Sequence, residues 1–411
     1  MCVKEFAKKN GLVLTASQIN QETNHFVEEM RRALKGEASS LMALPSYLTV
    51  AGNLNLNSSP KLLCIDAGGT NLRVRLVQFV NGQLKILEDR RDDLPGITET
   101  IGVEEFFKRI MFLVAPFAGI VDKIGFCFSF PAEILPSQDG KIIKFTKDVK
   151  VENATNCLVG NELRRALKLS NLPHHHQIVI LNDTVAALLG GTAQHHGSEH
   201  FDYAGQILGT GTNTAVNIAK GDLTGAINFE TGGYKPRFCA SKIDLAFLDK
   251  ACENSKNLFE LMIAGQNQGT LFLAYLKEAA KHNLFSKKTA NELLKFEYID
   301  SCELDRFYHM DSCGNTFSYA IIKSKKDGEA FRSLLKIYFE RIAQLVLINW
   351  QAVRKILGEE KQLVMALEGT VGTKSRLFQS TFNPNENEFL VERLNNTIAG
   401  TALAALMAKT H

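Results

Sequence analysis

At 411 residues the chain is longer than one hydrophobic core usually supports, so two packed domains are expected, with the active site between them. Hydrophobic residues make up 45% and charged residues 22%, which excludes a disordered chain, and a net charge of +3 leaves no electrostatic footprint for nucleic acid. There is no run of eighteen apolar residues, and Met1-Cys-Val-Lys-Glu-Phe lacks the apolar stretch of a secretory signal, so a cytoplasmic protein without membrane contact is expected.

Residues 15–42 carry Ile19, Phe26, Met30, Leu34 and Leu41 at helical spacing, which predicts a long amphipathic helix capped by Ser17. Ala43-Leu-Pro45 breaks it, and an Asn/Ser/Pro-rich stretch leads to a strong strand at 62–66. That strand meets Gly68-Gly69 and a second β-rich run at 72–79, so the two read as a hairpin. Further strands are predicted at 124–130, 178–181, 205–208, 214–218 and 363–366, and helices at 103–114, 158–166, 184–189, 244–248, 269–280, 329–356 and 397–408. Strands alternating with helices make this an α/β protein. Eight cysteines without a C-x-x-C pair read as reduced core residues. The histidines at 174–176 and at 195, 196 and 200 read as solvated loops, and the basic cluster at 323–326 as a solvated turn.

Three glycine-bearing loops follow strands. In Asp66-Ala-Gly68-Gly69-Thr70-Asn71 the glycines let backbone N–H groups approach a phosphate, Thr70 and Asn71 add donors, and Asp66 suits the water shell of a magnesium ion; alone, the same phrase is an ordinary hairpin turn. Gly209-Thr210-Gly-Thr-Asn213 repeats the device, and Glu368-Gly369-Thr370 follows a third strand. Neither G-x-x-x-x-G-K-[ST] nor G-x-G-x-x-G occurs, which excludes a P-loop and a dinucleotide fingerprint. Asn182-Asp183-Thr184 ends a strand, where Asp183 reads either as a helix N-cap or as a carboxylate held at the mouth of a sheet. Ser129-Phe-Pro131 and Phe145-Thr146-Lys147 are polar islands beside apolar strands, and Lys147 is either a phosphate-neutralising cation or a surface lysine.

In order and wording these phrases, together with Ile227-Asn-Phe-Glu230, resemble the hexokinase family over roughly residues 25–405. The resemblance implies a two-lobed actin-like ATPase (ribonuclease H-like) fold. Its small lobe would hold 61–181 plus 397–411, and its large lobe 1–60 plus 182–396. It implies ATP and Mg2+ as cofactors, the latter held by Asp66 through water, and phosphoryl transfer to the 6-hydroxyl of a hexose, with glucose first among hexoses. By the same likeness Ser129, Thr146, Lys147, Asn182, Asp183, Asn213 and Glu230 bind the sugar. Asp66, Gly68, Gly69, Thr70, Asn71 and Arg73 face the phosphates, Thr210 the transferring group, and Gly369 and Thr370 the nucleoside. Asp183 is the implied base, and Lys147 supplies positive charge.

Two positions depart from the family pattern. Thr270 stands where a glucose-binding glutamate is usual, and Thr231 replaces a tryptophan after Glu230. Weaker glucose affinity, or another preferred hexose such as mannose, fructose or an N-acetylated hexosamine, is therefore expected unless Gln266 or Asn267 replaces the lost bond. The rival readings are a non-catalytic sugar sensor and an ATPase acting on protein partners.

Overall fold

The first strong strand forms where its apolar run predicts. Leu62–Gly68 turns through Gly69, with φ of +63°, into Asn71–Val80, and Gln83–Asp93 adds a third antiparallel strand. This computed structural model describes residues 2–408 except 51, 53, 147, 148, 222, 251–256 and 310–323. Lys123–Phe128 and Gln177–Leu181 join on the other side in parallel, giving a five-stranded sheet. The third strand escaped sequence reading because it is a mostly exposed, charge-rich edge, the composition that keeps an edge strand from recruiting another chain.

A second sheet repeats this plan. Phe201–Leu208, Thr212–Ile218 and Gly225–Asn228 run antiparallel, Gln362–Glu368 and Phe389–Arg393 add in parallel, and the two-residue strand Leu44–Pro45 extends the antiparallel edge to make six. In each sheet the last parallel strand is followed by a helix: Asp183–Gln194 after the first and Ile398–Leu406 after the second. Each helix packs on the other sheet, and the two pack on one another. Sheet, helix, helix and sheet are thus stacked in four layers.

Glycine permits the close approach at every step of that stack. A Cβ at Gly125 would lie 2.3 Å from Thr401 O, one at Gly400 only 1.8 Å from Ala186 O, and one at Gly205 2.3 Å from Leu188 N. Separate apolar cores lie on the outer face of each sheet, one around Phe106, Phe126 and Leu163, the other around Phe26, Phe272 and Trp350. A third, rich in alanine, fills the layers between the sheets.

Several sequence expectations are corrected. The first long helix is Ala16–Leu34, capped by Thr15 instead of Ser17: Gln18 N donates to Thr15 Oγ1 at 3.2 Å and Thr15 N donates back to Gln18 Oε1 at 3.0 Å. It ends before Leu41, which is buried from a loop. Of the histidines, His176 is buried, its Nε2 2.8 Å from Ala118 O, and His195 pairs with Glu392 at 2.9 Å. Cys64, Cys127 and Cys239 are free core residues, but Cys2 and Cys302 are exposed; Cys252 and Cys313 lie outside the described residues. Ser324 caps the helix Lys325–Leu357, so Lys325 and Lys326 open a helix instead of a turn, and Lys323 lies outside the described residues.

Candidate active site

The parallel register brings one set of site residues to a common edge. Asp66 and Leu181 both pair with Cys127, so Ser129 and Asn182-Asp183 emerge beside Asp66. A Cβ on Gly68 would come 2.8 Å from Ser129 Oγ and 3.6 Å from Asp66 Oδ1, so these polar groups converge where glycine leaves room. Arg73 lies directly opposite Asp66 in the antiparallel pair. Thr70 and Asn71 are exposed at the turn, and Asn71 Nδ2 donates to Thr70 Oγ1 at 3.1 Å. Half-buried Thr146 follows Phe145, whose ring packs on Phe106, Phe128 and Phe130; Lys147 lies outside the described residues.

The N-cap alternative for Asp183 does not hold, because Asn182 takes that position, its Oδ1 accepting from Thr184 N at 2.9 Å. Asp183 becomes the first helical residue. Thr184 Oγ1 donates to its Oδ1 at 3.3 Å.

The second sheet supplies the facing wall. Ile207 pairs with Glu368, so Gly209 and Gly369 leave the same sheet edge and touch; a Cβ on Gly369 would lie 2.5 Å from Leu208 O, and its φ is +106°. Thr210 and Thr370 are exposed at the two loops. Asn213 Nδ2 donates to Glu230 Oε1 at 3.0 Å and to Asn228 Oδ1 at 2.8 Å, and Asn228 Nδ2 donates to the same Glu230 oxygen at 2.6 Å. Thr231 is fully buried and donates to Thr214 Oγ1 at 3.1 Å, which also accepts from Asn349 Nδ2 at 2.7 Å. Where a tryptophan is customary, this hydroxyl is spent on internal hydrogen bonding.

Thr270 is half-buried in the helix Gly265–Lys281, four residues after Gln266 and so on the same helix face. That helix meets the second loop at its first turn: Gly265 N donates to Gly209 O at 2.7 Å and Gln266 N to Thr210 O at 3.2 Å.

Carboxylates from both walls feel one another. Burial, then the charges of Asp183 and Asp66, raise Glu368 to about 7. Burial also raises Glu230, with Asp183 and Glu260 adding to the rise and hydrogen bonds from Asn228 and Asn213 opposing it. This acidic cleft offers acceptors for the hydroxyls of a polyol, and its excess negative charge suits a polyphosphate that arrives with a cation. Among the described residues no group of three or more His, Cys, Asp or Glu forms a direct metal cage. Sequence reading assigned no role to Asn228, Glu260 or Glu368. The first and last stand within motifs already singled out, whereas Glu260 carries no local signal.

Two family profiles, both described as Hexokinase, match residues 3–193 and 203–403. Hexokinase-5 of Oryza sativa subsp. japonica is 25% identical over 94% of this chain and 85% of its own length. Hexokinase-3 of Mus musculus is 29% identical over 71% of this chain but only 34% of its own length, so the chain corresponds to about a third of that protein. Among solved structures, a hexokinase from Schistosoma mansoni complexed with glucose superposes with a TM-score of 0.72 at 20% identity, covering 99% of this chain and 100% of that one. Another hexokinase structure reaches 0.77 at 18% identity, covering 98% and 99%. These two share the two-lobed actin-like fold, and with both family profiles lying end to end along it, the chain belongs to the hexokinase family of hexose-phosphorylating enzymes.

Proposed function

We propose that the protein transfers the γ-phosphoryl group of ATP to the 6-hydroxyl of a hexose, with Asp183 as the base. The observation that carries this reading is electrostatic: Asp183, which emerges from the first sheet, is the carboxylate whose charge reaches both Glu230 and Glu368 on the facing wall. A base there stands between the hydrogen-bonding cluster suited to a sugar and the glycine loops suited to phosphates.

In this reading Asn182, Asn213, Glu230, Ser129 and Thr146 hold the sugar hydroxyls, and Asp183 accepts the proton as O6 bonds to the γ-phosphorus. The bond from that phosphorus to the bridging oxygen breaks and ADP leaves with the electron pair. Gly68, Gly69, Thr70, Asn71, Arg73 and Thr210 orient the phosphates, Gly369 and Thr370 lie toward the nucleoside, and Lys147 adds positive charge. Magnesium, when bound with the nucleotide, offsets phosphate charge, and Asp66 would hold it through water. Positioning and charge neutralisation are most of what phosphoryl transfer asks of a protein, and closure of two lobes excludes water as a rival nucleophile.

The lobes of this reading are 61–181 plus 397–411 and 1–60 plus 182–396. The division is supported by the two sheets and by the helix Ile398–Leu406 lying on the first of them. Among the described residues no helix is long and apolar enough to cross a membrane. A cytoplasmic location remains part of this proposal.

The test is ADP release with ATP and magnesium against glucose, mannose, fructose and N-acetylglucosamine, for the wild type and Asp183→Ala. Sugar-dependent turnover that falls by about 10²–10⁴-fold in the variant is expected. Sugar binding without turnover would replace the kinase reading with that of a sensor.

A further inference from the structure

The short helix Leu258–Ile263 packs on the turn Thr231–Gly233 and reaches the Gly209–Asn213 loop through Glu260. Phe259 N donates to Tyr234 O at 3.3 Å, just beyond the Glu230 turn, and Thr212 N donates to Glu260 Oε2 at 3.0 Å. The chain then bends at Ala264, and the next two amides hold Gly209 O and Thr210 O. Glycine makes the seat of the Glu260 carboxylate: a Cβ on Gly211 would lie 2.6 Å from Oε2, and one on Gly232 would lie 3.3 Å from Oε2 and 2.9 Å from Thr212 O. A larger residue at either place would displace the carboxylate or the loop.

We infer that Glu260 is a positioning residue that couples the sugar side of the site to the phosphate side, through its hydrogen bond from Thr212 N and its charge beside Glu230. The inference rests on the proposed function, in which Gly209–Asn213 faces the phosphate and Glu230 the sugar. Glu260 touches neither substrate. It fixes the loop that carries Thr210 and Asn213, and it stands on the segment that leads into Thr270.

Its charge has a separate consequence. Glu230 is faced by Asp183 from the helix Asp183–Gln194, by Glu260 from Leu258–Ile263, and by the neutral amides of Asn213 and Asn228. Both carboxylates oppose its ionisation. An ionised Glu230 is the stronger acceptor for a sugar hydroxyl, so hexose affinity falls on the acid side as Glu230 gains its proton. Removing the charge at 260 moves that fall to lower pH.

Two variants separate the roles. Glu260→Gln keeps an acceptor for Thr212 N but loses the charge. Its kcat and its KM for ATP are expected to stay within about threefold of wild type, while the acid limb of the hexose KM moves to lower pH. Glu260→Ala loses both, and its kcat is expected to fall between about tenfold and a hundredfold with a raised KM for ATP, as a displaced loop requires. An unmoved acid limb in Glu260→Gln, or wild-type kcat and ATP KM in Glu260→Ala, would overturn the inference. If Glu260→Ala does not fold, as judged by circular dichroism, the Gln variant decides alone. A wild type without turnover would refute the proposed function instead. In that event calorimetric titration of hexose at several pH values makes the same comparison between wild type and Glu260→Gln.

Discussion

Thr270 is where sugar preference should be readable in a single side chain. A hydroxyl is shorter than the glutamate it replaces and carries no charge, and hydrogen bonds to charged groups contribute roughly 1.5–3 kcal/mol. Thr270→Glu is therefore expected to lower the glucose KM by about tenfold to over a hundredfold, measured in the ADP-release assay. No gain would mean that a neighbour such as Gln266, on the same helix face, already makes the contact. Glu368 gives a pH signature. Its carboxyl is raised from an ordinary 4.5 to about 7 in the folded protein, so the folded state holds that proton more tightly than the unfolded chain does. Its stabilising contribution is therefore present below about pH 4.5 and is lost as pH rises towards 7. Glu368→Gln removes the ionisation, so the variant should gain stability over wild type between about pH 5 and 8, by at most about 3 kcal/mol. Thermal melts at both pH values check it. His176, which burial lowers, contributes in the opposite sense but equally in both proteins, and so cancels in the difference.

At the scale of elements, local signals were read best where the element depends on its own sequence. The helix Val103–Val114 was predicted to the residue because its buried positions Val103, Phe106, Phe107, Ile110, Met111, Leu113 and Val114 recur at helical spacing. The hairpin at Gly68-Gly69 was legible for the same local reason. The first long helix was misread at both ends: Thr15 and Ser17 are both good caps, and the reciprocal bond with Gln18 decides for Thr15. Thr15→Ala is expected to destabilise by about 1 kcal/mol in a denaturant melt, and Ser17→Ala by much less. The helix predicted at 269–280 begins earlier, at Gly265, after a bend at Ala264 that separates it from Leu258–Ile263, because the amides of Gly265 and Gln266 donate to Gly209 O and Thr210 O in a loop distant in sequence.

For the whole molecule, the four-layer stack depends on contacts that leave no room for a methyl group. Gly400→Ala is expected to lower the melting temperature by several degrees, because the added Cβ meets Ala186 O, a backbone atom that cannot turn aside. Gly119→Ala, which has open space around it, is the matched control and should change little. The repeated sheet plan behind this stack was not visible as a repeat in the chain. Its strands are separated by insertions of unequal length, and what recurs is an order of pairing, not a residue pattern. The sequence by itself determined the α/β class, the three glycine loops, Asp183 at a strand end and the resemblance to the hexokinase family. Each of these is written in neighbouring residues, because turns, caps and strand ends are local chemistry. Only the tertiary structure decided that Glu260 reaches Thr212, that Glu368 feels Asp66 and Asp183, and that Thr231 turns its hydroxyl inward. Those facts come from strand register and helix packing between distant segments, and long-range register has no signature in a local stretch of chain.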